Sequence, residues 1–186
     1  MTALCRRQVV ALAAGTLTAA LLAPGAFGQA PAAAAASAAP ATGGKPPIFV
    51  LNSLDATISV IDGSTLAEIR RLPTGKEPHH LYLSPDEKSL LVANAVGDTI
   101  TLVDPRTGLI QKTLENIVDP YQLRFSPDMK WFVTAANRLN HLDIYRVTRP
   151  AAGGFDLALA KRVPAGKTPS HVVIDTKSTV VYASLQ

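Results

Sequence analysis

The residues of this chain best suited to chemistry are histidines that follow prolines. His79 and His80 come directly after one proline, and Ser170 and His171 come directly after another. Imidazole groups titrate near neutral pH, bind transition metals and transfer protons. Side chains of this kind, if they converge, could bind a metal or a cofactor, or move a proton between groups.

A third proline-led segment carries polar side chains at the same two positions. Tyr121 and Gln122 follow Pro120, and Arg124 lies two residues further along the chain. A guanidinium group can hold an anionic group such as a carboxylate, and convergent polar groups are typical of a small-ligand site. The sequence names no metal and no cofactor. The candidate ligand-binding residues are therefore His79, His80, Tyr121, Gln122, Arg124, Ser170 and His171.

Motifs of common enzymes are absent from the sequence. It contains no Gly-x-Ser-x-Gly elbow, no phosphate-binding loop, no His-Glu-x-x-His and no Cys-x-x-Cys. The sequence therefore predicts no catalytic residue and assigns no reaction to the chain.

The elements that must position the candidate residues repeat along the chain. Ser84-Pro85-Asp86 recurs 42 residues later as Ser126-Pro127-Asp128, and the segment 57–62 recurs at the same offset as 99–104. Several matches at a single offset indicate an internal repeat. By this repeat, one set of equivalent positions holds His80, Gln122 and His171, and the preceding set holds His79, Tyr121 and Ser170.

Each repeat has the pattern of short strands. Ile58 and Val60 flank Ser59, which is the period of two that is typical of a strand, and the Pro-Asp pairs fit the centre of a type I turn. Four antiparallel strands per repeat predict a β-propeller blade. A β-sandwich, the alternative, gives no reason for a fixed offset. In the second copy we expect strands at about 79–84, 89–94, 99–104 and 109–115.

The repeat resembles that of the YVTN-type (YncE-like) β-propeller family of bacterial periplasmic proteins. The match runs from Ser84 to Asn94 and continues from Asp98 to Asp104. The third copy departs from the pattern, since Ala136 stands in place of the asparagine. The resemblance implies an all-β propeller of four-stranded antiparallel blades, closed as a ring of about seven.

The resemblance covers residues 48–186, which we expect to form an incomplete propeller of about three and a half blades. Seven repeats would need roughly 290 residues, so we interpret the sequence as a fragment of a longer protein. The alternative is that two or more copies close one ring. The blades are predicted at about 48–78, 79–120 and 121–169, with a partial blade at 170–186.

The propeller hypothesis places the candidate residues at one channel mouth, because equivalent positions on successive inner strands face the same opening. His80 and His171 are two blades apart, which argues against their sharing one metal ion. A histidine at a loop-to-strand junction can also be a solvated or hydrogen-bonding residue. We expect His141, in an outer strand, to have a structural role. Asn52 and Asn94 are expected to stabilise turns at strand ends.

The N-terminal segment is typical of an export signal. Arg6 and Arg7 precede an apolar run at 9–22 that is shorter than a spanning helix needs. We predict a signal peptide at 1–30, an Ala/Pro-rich linker at 31–47, and a periplasmic protein without a membrane span after signal removal. The arginine pair is similar to a twin-arginine signal, although a Sec signal also fits. An uncleaved membrane anchor is the alternative.

Charge and cysteine content exclude further classes. The formal charge of +4 falls to +2 once Arg6 and Arg7 are removed, and no Lys/Arg cluster with interleaved aromatic residues follows. A nucleic-acid partner is therefore not expected. Cys5 is the single cysteine and precedes the apolar run, so the mature chain is expected to have neither a disulfide nor a thiolate metal site.

Two functions remain open. The first is a binding or scaffold module for a small molecule or a periplasmic protein. The second is an enzyme or redox-cofactor protein, because YVTN-type repeats are similar to the haem-d1 domain of nitrite reductases and to quinoprotein dehydrogenases. Histidines at a channel mouth could ligate haem or transfer protons. A sugar lactonase has no specific support in these residues, and fold analogy alone does not decide.

Overall fold

The computed structural model describes residues 44–151 and 153–186, and within these ranges the regular secondary structure consists of β-strands alone. The predicted signal peptide and most of the predicted linker, residues 1–43, lie outside the described residues. Among those that are described, no helix is long and apolar enough to cross a membrane.

The thirteen strands of the described residues form four antiparallel sheets, each built from consecutive chain segments. The first sheet contains β1 (Ile48–Asn52), β2 (Thr57–Ile61) and β3 (Glu68–Pro73). The second contains β4 (Pro78–Leu83), β5 (Leu90–Asn94), β6 (Thr99–Val103) and β7 (Ile110–Leu114). The third contains β8 (Pro120–Phe125), β9 (Trp131–Ala136), β10 (His141–Thr148) and β11 (Asp156–Pro164). The fourth contains β12 (Pro169–Ile174) and β13 (Val181–Leu185).

This arrangement confirms the predicted all-β class and the four-stranded antiparallel blade. The four sheets are called blades 1 to 4 below. Each of the strands expected in the second repeat begins and ends within one residue of its predicted bounds. Alternation and turn residues are local signals, which is why they predicted these strands so closely.

The backbone conformation repeats together with the sequence. The N–H of Glu87 donates to the carbonyl of Ser84 at 2.8 Å, and the N–H of Met129 donates to that of Ser126 at 2.9 Å. Each bond closes a four-residue turn with proline and aspartate at its centre, as predicted. Glu87 and Met129 then adopt φ values of 56° and 57°, and this left-handed step leads each chain into the next strand.

Apolar clusters join each blade to the next. Neighbouring residues of one strand belong to different clusters, because alternate side chains point to opposite faces of a sheet. Blade 2 thus packs against blade 1 with one face and against blade 3 with the other. The clusters contain Ile58 with Val92 for blades 1 and 2, Leu91 with Phe132 for blades 2 and 3, and Val133 with Val172 for blades 3 and 4.

Candidate functional site

The first strands of three blades lie next to one another. β4 contacts β8, and β8 contacts β12. Each strand begins at a buried proline, namely Pro78, Pro120 or Pro169. Because the candidate residues are the second, third and fifth residues of these strands, the structure brings them to neighbouring positions in successive blades.

His79 and His80 form a cluster of rings with Tyr121 of the next blade. The ring centroids of His79 and Tyr121 are 4.1 Å apart, and those of His80 and Tyr121 are 5.1 Å apart. Nδ1 of His80 lies 2.6 Å from the backbone carbonyl oxygen of Tyr121. A carbonyl oxygen only accepts hydrogen bonds, so Nδ1 of His80 is the donor. Neutral His80 therefore carries its lone pair on Nε2.

His79 is arranged by the same contact. Its Nδ1 lies 3.0 Å from Nδ1 of His80. Nδ1 of His80 carries one proton, which it shares between the carbonyl oxygen of Tyr121 and Nδ1 of His79. Nδ1 of His79 is therefore an acceptor, and the proton of neutral His79 lies on its Nε2. The two imidazoles therefore have opposite tautomers, with His79 as a donor and His80 as an acceptor at Nε2.

Two further imidazoles and a guanidinium act electrostatically on His80. Burial lowers the pKa of His80 from its ordinary value of 6.5, and the charges of His79, His171 and Arg124 lower it further, whereas the hydrogen bond to Tyr121 acts in the opposite direction. His171 and Arg124 therefore lie within electrostatic range of His80, although they belong to other blades. The groups whose charges act on His80 are all cationic when protonated, which disfavours a further cation and favours an anion.

Gln122 and Arg124 join blade 3 to blade 4. The buried side chain of Gln122 accepts a hydrogen bond from the N–H of Val172 at 2.5 Å. Nε of Arg124 donates to the carbonyl of Val172 at 3.3 Å, and its guanidinium lies over the ring of Tyr82, 4.9 Å from the centroid. The carbonyl oxygen of Gln122 is therefore engaged in a contact between blades, whereas Arg124 also faces the inner strand of blade 2.

Ser170 and His171 lie at the start of the inner strand of blade 4. Ser170 is buried, and its hydroxyl lies 3.3 Å from Nδ1 of His171 and 3.4 Å from the hydroxyl of Ser184. His171 is exposed. Of the seven candidates, the structure thus groups His79, His80 and Tyr121 by direct contact and His171 and Arg124 by electrostatic interaction with His80. The described residues contain no group of three or more His, Cys, Asp or Glu side chains that could hold a metal ion.

Sequence analysis missed a buried ionic cluster in blade 3. Asp143 is fully buried, and Nε and Nη2 of Arg162 each lie 2.7 Å from one of its carboxylate oxygens. Nε2 of His141 lies 3.5 Å from Asp143. Burial, and next the charge of Asp143, raise the pKa of Tyr145. The sequence did contain a signal for this cluster. His141, Asp143 and Tyr145 alternate along β10, so their three ionisable side chains lie on one face of the strand.

In blades 1 and 2 the positions equivalent to this ionic cluster hold neutral side chains that are joined by hydrogen bonds. Nδ2 of Asn94, a fully buried residue, donates to the hydroxyls of Thr99 at 2.9 Å and Thr101 at 3.0 Å. Asn52 binds its own pair of hydroxyls in the same way. These asparagines lie at strand ends, as expected; the side chain of Asn52 joins β1 to β2, and that of Asn94 joins β5 to β6.

Comparison with known proteins identifies the repeat. A family model described as a YNCE-like beta-propeller matches residues 5–186. None of the curated proteins matches the chain.

Several solved structures share the fold. A putative 6-phosphogluconolactonase from Bacteroides uniformis is 18% identical with a TM-score of 0.61, over 77% of this chain and 45% of its own. A protein from Lactobacillus plantarum is 22% identical with a TM-score of 0.60, over 75% of this chain and 45% of its own. Hydrazine synthase from Kuenenia stuttgartiensis is 20% identical with a TM-score of 0.58, over 75% and 39%. At these identities the likeness shows the fold alone, and the chain spans less than half the length of each structure.

Proposed function

The chain belongs to the YNCE-like β-propeller family, and on this premise we propose that it is an exported binding module for a small anionic molecule. The binding site is a group of side chains on the first strands of blades 2 to 4, namely His79, His80, Tyr121, His171 and Arg124. A carboxylate is the anion that a guanidinium and two or three imidazoles suit best.

The environment of His80 is the observation that carries this proposal. Burial is the main cause of the lowered pKa of His80, and the charges of His79, His171 and Arg124 lower it further, so these groups repel one another when protonated. A bound anion removes this repulsion. Because an anion reduces the electrostatic repulsion among these groups, anions should bind more tightly than neutral or cationic molecules of the same size.

The same argument couples binding to proton uptake. An anion placed among these groups raises the pKa of His80 towards or above its ordinary value, so His80 takes up a proton as the ligand binds. Affinity should therefore increase as the pH falls towards the pKa of the ligand's own carboxyl group. A site without a titrating imidazole would show no such coupling.

Isothermal titration calorimetry of the full chain tests the proposal. Dicarboxylates such as succinate and malate should bind, and the observed heat should change between buffers of different ionisation enthalpy because protons are taken up. Arg124→Gln and His80→Gln should each weaken binding about tenfold or more, as expected for the loss of one charge-assisted contact. Lys130→Gln, which removes a cation from the β8–β9 turn at the other end of the blade, is the matched control.

Two results would contradict the proposal. One is that no small carboxylate binds the folded protein at millimolar concentration. The other is that Lys130→Gln weakens binding as much as Arg124→Gln does, because binding would then follow net charge rather than the proposed site.

A second function, a redox-cofactor protein, is favoured by one feature of His80. Its Nδ1 donates to a backbone carbonyl, which leaves Nε2 as a possible ligand atom, and metal-ligating histidines commonly have this arrangement. A cofactor protein purified from its own host should absorb visible light or contain stoichiometric metal. A colourless, metal-free protein that binds carboxylates supports the binding module instead.

Export is part of the proposal and has its own test. The arginine pair and apolar run of the N-terminal segment support it. The N-terminus of the protein recovered from the periplasm should lie near residue 30. A protein that keeps residues 1–30, or that is found in the cytoplasm, would overturn this part.

A further inference from the structure

A cleft opens between blades 1 and 2. Its volume is about 670 Å³. The cleft is lined by the connection from β3 to β4, by the hairpin between β5 and β6, and by β7. Its polar lining comprises Thr74, Lys76, Thr99, Thr101, Thr113 and Glu115.

A chain of hydrogen bonds orients the hydroxyls of this cleft. The hydroxyl of Thr74 donates to Oδ1 of Asn94 at 2.6 Å, and Nδ2 of Asn94 donates to the hydroxyls of Thr99 and Thr101. Both threonine oxygens are therefore acceptors towards Asn94. Neither hydroxyl has an acceptor for its own proton among the described residues. Two hydroxyl protons thus lack an acceptor beside the cleft; Thr99 is half-buried and Thr101 is 1% exposed.

Gly75 lies in the wall of the cleft and packs closely against two of its neighbours. A side-chain carbon at Gly75 would lie 2.5 Å from the hydroxyl of Thr99 and 2.8 Å from Asn94. The repeat places Ile117, a buried residue, at the position of Gly75 in the junction between blades 2 and 3. At Gly75 the backbone therefore approaches Thr99 and Asn94 too closely for a side chain, whereas the equivalent position one blade further on holds an isoleucine.

The ion pair of blade 3 is the second difference between the two junctions. Thr101 faces Thr113 across β6 and β7, and the equivalent positions across β10 and β11 hold Asp143 and Arg162. Arg162 binds Asp143 through two hydrogen bonds. A carboxylate and a guanidinium thus meet in blade 3 where blade 2 has two short hydroxyl side chains and an open cleft.

We propose that this cleft is a second ligand site, which binds a small carboxylate that also carries a hydroxyl or amino group. The hydroxyls of Thr99 and Thr101 and the ammonium group of Lys76 bind the carboxylate. Glu115 accepts a hydrogen bond from the hydroxyl or ammonium group of the same molecule. The ligand class is therefore a small hydroxy acid or amino acid. In blade 3 the carboxylate of Asp143 lies at the position equivalent to Thr101. It thus corresponds to the carboxylate of the ligand that we propose for blade 2.

Nuclear magnetic resonance of the full chain locates the binding, with serine and glycerate as probes. Each probe should shift the amide signals of Lys76, Thr99 and Thr101. Glycerol, which has the hydroxyls without the carboxylate, should leave these signals in place. Shifts centred on His80 alone would mean that the probes bind at the inner strands, which would overturn this proposal and leave the first one standing.

Copying blade 3 into blade 2 supplies the decisive variant. Thr101→Asp with Thr113→Arg should form the ion pair inside the cleft and reduce the affinity for both probes at least tenfold. Lys88→Gln, an exposed substitution in the turn between β4 and β5, is the matched control and should bind as the wild type does. Unchanged affinity in the folded double variant would overturn the proposal, and so would the absence of binding to the wild type.

A milder variant covers the case in which the double variant does not fold. Thr101→Val keeps the shape of the side chain and removes its hydroxyl. We expect about a tenfold loss of affinity, the value of one well-formed hydrogen bond to a charged group. Equal binding by Thr101→Val and the wild type would contradict the assignment of this hydroxyl.

Discussion

Gln122 occupies in blade 3 the position that His80 occupies in blade 2, and both side chains hydrogen-bond the inner strand of the following blade. His80 donates to the carbonyl of Tyr121 at 2.6 Å, and Gln122 accepts from the N–H of Val172 at 2.5 Å. One position of the repeat thus joins neighbouring blades with two different chemical groups. In blade 2 the group is an imidazole, so the contact there also responds to pH.

The equivalence predicts that His80→Gln is tolerated better than His80→Ala. Glutamine can donate to the carbonyl of Tyr121 through its amide group, whereas alanine leaves that carbonyl without its partner. We expect His80→Ala to lower the free energy of unfolding by about 1–2 kcal/mol more than His80→Gln does. Urea denaturation of both variants measures this difference. Equal stabilities would mean that the hydrogen bond makes no net contribution.

The lowered pKa of His80 predicts that folding stability depends on pH. Burial is its main cause, and the unfolded chain binds a proton more readily than the folded protein does. The contribution is complete above about pH 6.5 and decreases as the pH falls through the lower folded pKa. The imidazole titration by nuclear magnetic resonance should show a midpoint below 6.5. In His80→Gln the free energy of unfolding should change less with pH in this range. An unchanged pH dependence would mean that other groups cause it.

The ion pair of blade 3 can be tested by exchange with blade 2. Arg162→Met leaves the carboxylate of Asp143 buried without its main partner. Because the side chain of Arg162 is 44% exposed, we expect a loss of about 1–3 kcal/mol, less than for a fully buried pair. Asp143→Thr with Arg162→Thr copies Thr101 and Thr113 and should recover part of this loss. Thermal unfolding of both variants checks the order, and a less stable double variant would contradict it.

The turn between β8 and β9 holds a carboxylate whose pKa depends on one hydroxyl. The pKa of Asp128 lies below its ordinary value of 3.8, first because Ser126 donates a hydrogen bond to it and next because the N–H of Lys130 does. Its contribution to stability is therefore present above about pH 3.8 and lost as the pH falls through the folded pKa. In Ser126→Ala the pKa of Asp128 should rise, as measured by carboxyl titration. The pKa of Asp175, lowered mainly by the N–H of Val180, should stay in place as an internal control.

Two equivalent glycines should respond differently to alanine. At Gly75 a new side-chain carbon would meet the hydroxyl of Thr99 and the side chain of Asn94, which are fixed by hydrogen bonds. At Gly166 it would meet the end of the flexible side chain of Leu185. We expect Gly75→Ala to cost about 1–3 kcal/mol and Gly166→Ala less. Chemical denaturation of the two variants measures both, and equal losses would contradict the tight packing at Gly75.

The sequence by itself determined the blade and its internal equivalences. Alternating residues and turn residues act over a few positions, so they predicted the four strands of the second copy to within one residue. The fixed offset then placed His80 and Gln122 at equivalent positions without any knowledge of their surroundings. These signals are local or periodic, and both can be read along one chain.

The tertiary structure alone decided what the equivalent side chains contact. Whether Gln122 points to a ligand or to Val172 depends on how blade 4 packs against blade 3, and residues 50 positions apart carry no pattern for that contact. The pairing of Asp143 with Arg162 likewise follows from the register of β10 and β11, which a bulge between Ile144 and Tyr145 shifts. Side-chain direction and burial are set by neighbouring blades, and their energies depend on the low dielectric environment that only packing creates.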